Sequence, residues 1–249
     1  MNGQRGLSLV GLLVGLLVSM IVILGMLAIY RSTVQVSVRA GEDAAQSNQK
    51  VSGLLRADKY LQSAGFGLVE PEYGGESLYL ISGASLSGGV GGTLSGTPET
   101  PSGTPLQATG NAIIWYREDD ADLNGAIDNS EKICEGLLAR ANGNDFDGLL
   151  RLLPESNCGG ADTWNSIDWT ASILVSAPLL ENYPAMLIQV TEAEDSADAC
   201  QPFGIGDAAT PGNSASGGLL VTLSIQVSTQ DSDIASSTCL ANFVFPAPL

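Results

Sequence analysis

The chain has no histidine, and aromatic residues make up only 6 % of its 249 residues. The first absence removes the side chain that most often acts as a general base near neutral pH, the commonest transition-metal ligand, and every triad built on imidazole. The second means that a core drawn from a chain of this length is largely aliphatic. Bases are also scarce, ten against 27 acids, for a formal charge of −17. Six of the ten (Arg5, Arg31, Arg39, Lys50, Arg56 and Lys59) lie in residues 1–60 beside only three acids, so residues 61–249 carry 24 acids, four bases and a formal charge of −20. Such a region repels phosphate backbones, so direct nucleic-acid binding is not expected, and divalent cations are its natural partners.

Catalytic signatures are missing as well. No GxSxG motif and no glycine-rich phosphate loop with a lysine occurs. Paired carboxylates such as Asp119 and Asp120 would suit glycoside chemistry, but a chain this acidic contains such pairs without any catalytic reason. The expectation is a protein that is not an enzyme.

The four cysteines, Cys134, Cys158, Cys200 and Cys239, are even in number and form no CxxC pair. That favours two disulfides in an oxidising compartment over a zinc site. Three pairings exist, and loop closure mildly favours the local ones, Cys134 with Cys158 and Cys200 with Cys239.

From Gly6 to Tyr30 there is no charged residue. As a helix, that run is about 37 Å long, enough to span a bilayer. It exceeds the short apolar core of a cleavable secretory signal and passes Ala28 into a polar segment still suited to helix. There Ala44, Val51, Leu54, Leu55 and Leu61 recur at helical spacing, so one apolar stripe is expected over residues 31–65, with Gly65 and Gly67 as the stop. Gly41 and Gly53 weaken the continuity of that helix. Gly11 and Gly15 form a small-xxx-small pair that permits close helix approach in lipid. Arg31 and Arg39 follow the span and only Arg5 precedes it, so the positive-inside count alone does not put the start in the cytoplasm. The cysteines place the head outside.

The junction Arg5-Gly6 followed by LSLVGLLVGLLVSMIVILGML resembles the type IV prepilin signal, and residues 1–70 resemble PilW-like minor pilins and the related pseudopilins of type II secretion. The resemblance implies a leader of residues 1–6, cut by a prepilin peptidase between Gly6 and Leu7, with methylation of the new amino terminus. It also implies that helix 7–30 stays in the inner membrane before packing against other pilin or pseudopilin subunits in an extracellular pilus or periplasmic pseudopilus. One residue departs from the pattern. At the fifth position after the cut, where the family carries a glutamate that pairs with a neighbouring amino terminus, this chain has Gly11. A subunit without that buried carboxylate needs no matching amine on the chain above, which points to a tip or priming position. The alternatives are a type II secretion pseudopilin and a bitopic membrane protein that never polymerises.

Residues 66–249 read as an acidic, β-rich head. Gly83–Gly110, rich in Gly, Ser, Thr and Pro, reads as a mobile surface loop. Strands are expected in NAIIWYR (111–117), ASILVS (171–176), PAMLIQVT (184–191), LVTLSIQVS (220–228) and ANFVF (241–245). The expected class is α+β, with a long amino-terminal helix laid on an antiparallel sheet in a pilin-like arrangement.

The strongest chemical motif is DADLNGAIDNSE, residues 120–131. It places Asp120, Asp122, Asn124, the Ala126 carbonyl, Asp128 and Glu131 at positions one, three, five, seven, nine and twelve of an EF-hand-type calcium loop, with Gly125 at the sharp turn. Calcium takes six to eight oxygens in a flexible cage, and alternating oxygen side chains wrap one ion. The strand-like segment before it argues for an isolated calcium loop stapling a β-region. NGNDFDG (142–148) lacks the full spacing and reads as an ordinary turn.

Overall fold

A helix that begins in an uncharged aliphatic run keeps its backbone bonded internally whatever surrounds it. In the computed structural model such a helix, α1, runs unbroken from Leu9 to Leu61. The structure describes residues 9–68, 71–74, 77–88, 91–103, 105–118, 132–140, 148–155, 158, 164–176, 186–192, 218–225, 234–240 and 243. Two units divide the chain, Met1–Asn48 and Gln49–Leu249, and α1 supplies residues to both. In the first unit the described side chains of α1 are exposed, with the side chain of Gln46 outside the description. Neither Gly41 nor Gly53 interrupts the helix. It ends where expected, in a turn with Gly65 (φ 69°) and Gly67 (φ 79°) in the left-handed region that glycine enters without penalty.

Among the described residues the second unit holds ten strands: β1 (Leu78–Leu86), β2 (Gly91–Pro98), β3 (Gln107–Gly110), β4 (Ala112–Glu118), β5 (Lys132–Arg140), β6 (Gly148–Pro154), β7 (Asp168–Ser176), β8 (Met186–Glu192), β9 (Leu219–Ile225) and β10 (Ile234–Leu240). All ladders are antiparallel. The α+β class is therefore correct, but a single sheet under the helix is not what forms. Six strands close a barrel in the order β1-β2-β7-β6-β5-β4, and the other four make a sheet in the order β10-β9-β8-β3.

Two apolar clusters explain this arrangement. The barrel interior takes Ile81, Leu94, Ile114, Leu138, Leu152 and Trp169, one residue or more from each of the six strands. The residues of opposite parity, among them Leu80, Ile113, Trp115 and Leu137, join a second cluster with Ile188, Val221 and Leu240 of the four-stranded sheet and Leu54, Ala57 and Leu61 of α1. Strands β4 and β5 are thus buried on both faces, which is why AIIWYRE and KICEGLLAR read as near-continuous apolar runs and not as alternating ones.

The chain passes from the four-stranded sheet into the barrel at one residue. A Cβ at Gly110 would stand 2.5 Å from the Ile81 carbonyl oxygen, so the corner requires glycine. Next, Asn111 staples the corner: its Oδ1 accepts from the Ala84 N–H (2.8 Å), its Nδ2 donates to the carbonyls of Ala84 (2.9 Å) and Ala139 (3.2 Å), and its own N–H donates to Ile81 O (2.9 Å).

Several sequence expectations need correction. The stretch 83–110 is not a loop: it holds the end of β1, all of β2 and β3. Its small hydroxyl residues pair across strands, as Ser85 with Ser95 at 2.9 Å, and glycines at positive φ (Gly92, Gly96) accommodate the bends. Of the segment ANFVF only Phe243 is described, buried and outside any strand, and the rest lies outside the described residues; the strand before it, β10, has the polar sequence IASSTCL, which does not read as a strand. Finally, the single apolar stripe on the last part of α1 is split. Leu54, Ala57 and Leu61 are buried, whereas Val51 and Leu55 are 45 % and 63 % exposed. One residue step turns a helix by about 100°, so Leu54 and Leu55 cannot both face one core.

Candidate functional site

The apolar start of α1 is the first candidate. The described side chains from Leu9 to Tyr30 are uncharged and exposed, and the helix is long and apolar enough to cross a membrane. Helix glycines separate the two units. Among the described residues, a Cβ added at Gly11, Gly15, Gly25 or Gly41 would meet nothing, whereas one at Gly53 would collide with the Val175 side chain and stand 2.9 Å from the Leu174 carbonyl oxygen. At Gly53 the end of α1 lies against β7 with no room for a side chain. The proposed processing residues, Gly6 and Leu7, lie outside the described residues.

Polar contacts hold the end of α1 to the head. Asp58 accepts hydrogen bonds from the hydroxyls of Ser236 and Thr238 on β10, the latter at 2.8 Å. Tyr60 lies under the guanidinium of Arg151, 3.8 Å from the ring centre. Arg151 in turn donates to Glu135 at 2.8 Å, and Arg117 reaches the same carboxylate at 3.4 Å. Glu135 is only 5 % exposed, so two of the four bases beyond residue 60 are spent on one buried acid. Sequence reading did not single out Glu135. Its signal is an acid in mid-strand within the apolar run KICEGLLAR.

The second candidate is the β4–β5 connection. The last described pair of its ladder is Glu118 opposite Lys132, so the residues on either side of the intervening segment lie next to each other. A twelve-residue calcium loop needs this convergence, because positions one and twelve ligate the same ion. The six donors, Asp120, Asp122, Asn124, Ala126, Asp128 and Glu131, lie outside the described residues, as does 142–147. Among the described residues no His/Cys/Asp/Glu group able to hold a metal occurs. The turn after α1 grips the strand just before this loop: the Gly65 N–H donates to Tyr116 O (2.9 Å), and the Glu118 N–H donates to Phe66 O (2.8 Å). Just beyond the loop, Cys134 on β5 forms a disulfide with Cys158, Cα atoms 5.7 Å apart, the local pairing that loop closure favours. Cys239 is also disulfide-bonded, and Cys200 lies outside the described residues.

The side chain of Tyr73 is sealed in the larger cluster, and its hydroxyl donates to the Glu99 carbonyl at 2.9 Å. Burial, and secondarily the Glu99 charge, push this phenol well above its ordinary value despite an opposing backbone hydrogen bond from Leu80. It stays protonated across the physiological range and is a structural group.

No family model matches the chain, and no curated protein or solved structure shows significant similarity to it.

Proposed function

We propose that this chain is a structural minor pilin, incorporated at or near the tip of a type IV pilus, with a calcium-stabilised head. The observation that carries the reading is the double character of α1. Its first part is uncharged, apolar and uncovered from Leu9 to Tyr30, as a membrane or filament-core helix requires, while its last turns contribute Leu54, Ala57 and Leu61 to the core of the head. Gly11 stands where a shaft subunit carries a glutamate, which supports the tip position. The segment from Asp120 to Glu131 has six oxygen donors at calcium-loop positions in the sequence, and it falls between two strands whose last described pair is Glu118 with Lys132.

Mass measurement after co-expression with a prepilin peptidase tests the assignment. The expected product lacks MNGQRG and begins at Leu7. A chain that stays intact in a membrane where a known prepilin is cut makes this a bitopic membrane protein that does not polymerise.

A further inference from the structure

The turn that leads from β2 to β3 carries a motif that neither the core nor the calcium loop uses. Thr-Pro recurs at 97–98, 100–101 and 104–105. Thr97, Thr100 and Ser102 are exposed, while Thr104 lies outside the described residues and is not part of the site. A proline fixes its own φ, lacks an N–H and keeps the residue before it extended, so the backbone at Thr97 and Thr100 is set open in advance. Backbone bonds hold the segment on both sides. The Glu99 N–H donates to Leu80 O (2.8 Å), the Tyr73 hydroxyl donates to Glu99 O (2.9 Å), and Ser102 and Gln107 exchange bonds of 2.9 and 3.1 Å. A stretch whose composition reads as a loose loop is thus fixed in place with its hydroxyls outward.

These hydroxyls differ from the ones just before them. From Ser82 to Ser95 every serine and threonine side chain is engaged: Ser82 with the Thr97 carbonyl, Ser85 with Ser95, and Ser87 with the N–H and hydroxyl of Thr93. No hydrogen bond of the Thr97, Thr100 or Ser102 hydroxyl occurs among the described residues. The strand edge is open at the same place. Beyond Thr93, β2 pairs only with β1 among the described residues, which leaves 94–98 with the kind of edge that sheet proteins keep from pairing with other chains. Charge does not guard it, because Glu99 is the one charged residue from 83 to 110.

We propose that Thr97, Thr100 and Ser102 form a modification site that accepts neutral sugars through O-glycosidic bonds. Serine and threonine interspersed with proline are the composition of O-glycosylated surfaces, and here the hydroxyls are exposed, unengaged and carried on a preset backbone. Sugar fits better than phosphate. A phosphoryl group would bring almost two further negative charges to a head of formal charge −20, whereas a neutral glycan adds bulk and solubility without charge. The disulfides put the head in an oxidising compartment, so the donor is a sugar carried on a lipid diphosphate in the membrane. In the transfer the threonine or serine oxygen bonds to the anomeric carbon, the bond from that carbon to the diphosphate breaks, and the lipid diphosphate leaves with the electron pair. The hydroxyl proton passes to a base of the transferase. Once attached, the glycan covers the open edge of β2.

Mass spectrometry of the full chain, purified from the membranes of the cell that makes it, tests the site. The peptide spanning 94–107 should exceed its sequence mass by a whole number of sugar residues, and mild alkali should strip that excess by β-elimination. Single variants Thr97→Val, Thr100→Val and Ser102→Ala should lower the excess stepwise, and the triple variant should lose all of it with the melting temperature of the head unchanged. Ser85→Ala, which removes an engaged hydroxyl, should leave the excess as it was. A peptide at its sequence mass, an excess of phosphate mass, or an excess that survives in the triple variant would overturn the proposal. The leader lies on a different peptide, so its cleavage is read separately, and an intact leader would remove the filament reading while leaving this result standing.

Discussion

α1 is used in two ways along its length, and its glycines show the difference. Gly41 has open space where a side chain would go, whereas Gly53 has the Val175 side chain and the Leu174 backbone there. Leucines divide in the same manner, Leu61 sealed in the core and Leu55 63 % exposed. The helix ladder is the same at all four positions, so the backbone does not distinguish them. What differs is whether the chain itself supplies the neighbour. In the second unit the answer depends on azimuth, since Leu54 and Leu55 are adjacent in sequence and opposite in fate.

The sharpest way to break this contrast is to truncate both leucines. Leu61→Ala leaves a hole between α1 and the strands and should destabilise the head by about 2–5 kcal/mol, lowering the melting midpoint by about 5–15 °C. Leu55→Ala should change it by less than about 0.5 kcal/mol. Comparable losses in thermal or denaturant unfolding would mean that Leu55 is covered.

Calcium tests the proposed loop that follows the strand held by the turn after α1. That turn bonds to Tyr116 and Glu118, immediately before the proposed metal loop. A ligand that binds only the folded head at a hundred times its dissociation constant adds about 2.7 kcal/mol. Calcium should therefore raise the melting midpoint, and Asp120→Ala combined with Glu131→Ala should cancel the rise. A melt that is the same in calcium and in chelator would remove the site. Next in size is the glycine pair. Gly53→Ala should destabilise the head by about 1–3 kcal/mol through overpacking against β7, while Gly41→Ala should leave the melt of the head where it was.

Much of the fold is legible in local sequence pattern, and the rest is hidden for different physical reasons. The apolar run 6–30, the stop at Gly65 and Gly67, and β4, β7, β8 and β9 all follow from local pattern. Strands β5 and β6 lack the β-branched and aromatic run that marks β4, since KICEGLLAR and GLLRLLP are rich in leucine, glycine and charged residues that suit other structures as well, and β2, β3 and β10 have Thr, Ser and Gly residues that resemble loop. The split between Leu54 and Leu55 and the meeting of Arg117, Arg151 and Glu135 are tertiary facts: they depend on which strand lies beside which. For the proposed calcium loop, only the donor spacing is legible in the sequence; that the strands on either side of it pair, with Glu118 opposite Lys132, is a tertiary fact.

The smallest expected effect asks whether the sealed side of the head is closed to protons as well as to water. Tyr73 is 1 % exposed, and burial raises its phenol far above the ordinary value near 10. In the unfolded chain the phenol releases its proton around pH 10, while in the folded head it keeps it. The unfolded state then binds fewer protons, so stability falls as pH rises beyond about 10 and is fully present below that. Tyr73→Phe should remove this part of the alkaline loss, and at neutral pH it should cost only about 0.5–1.5 kcal/mol for the hydrogen bond to Glu99 O. Denaturant unfolding at pH 7 and at pH 10.5 measures both quantities. If wild type and variant lose stability in parallel between those values, then the phenol ionises in place and the core around Tyr73 admits solvent.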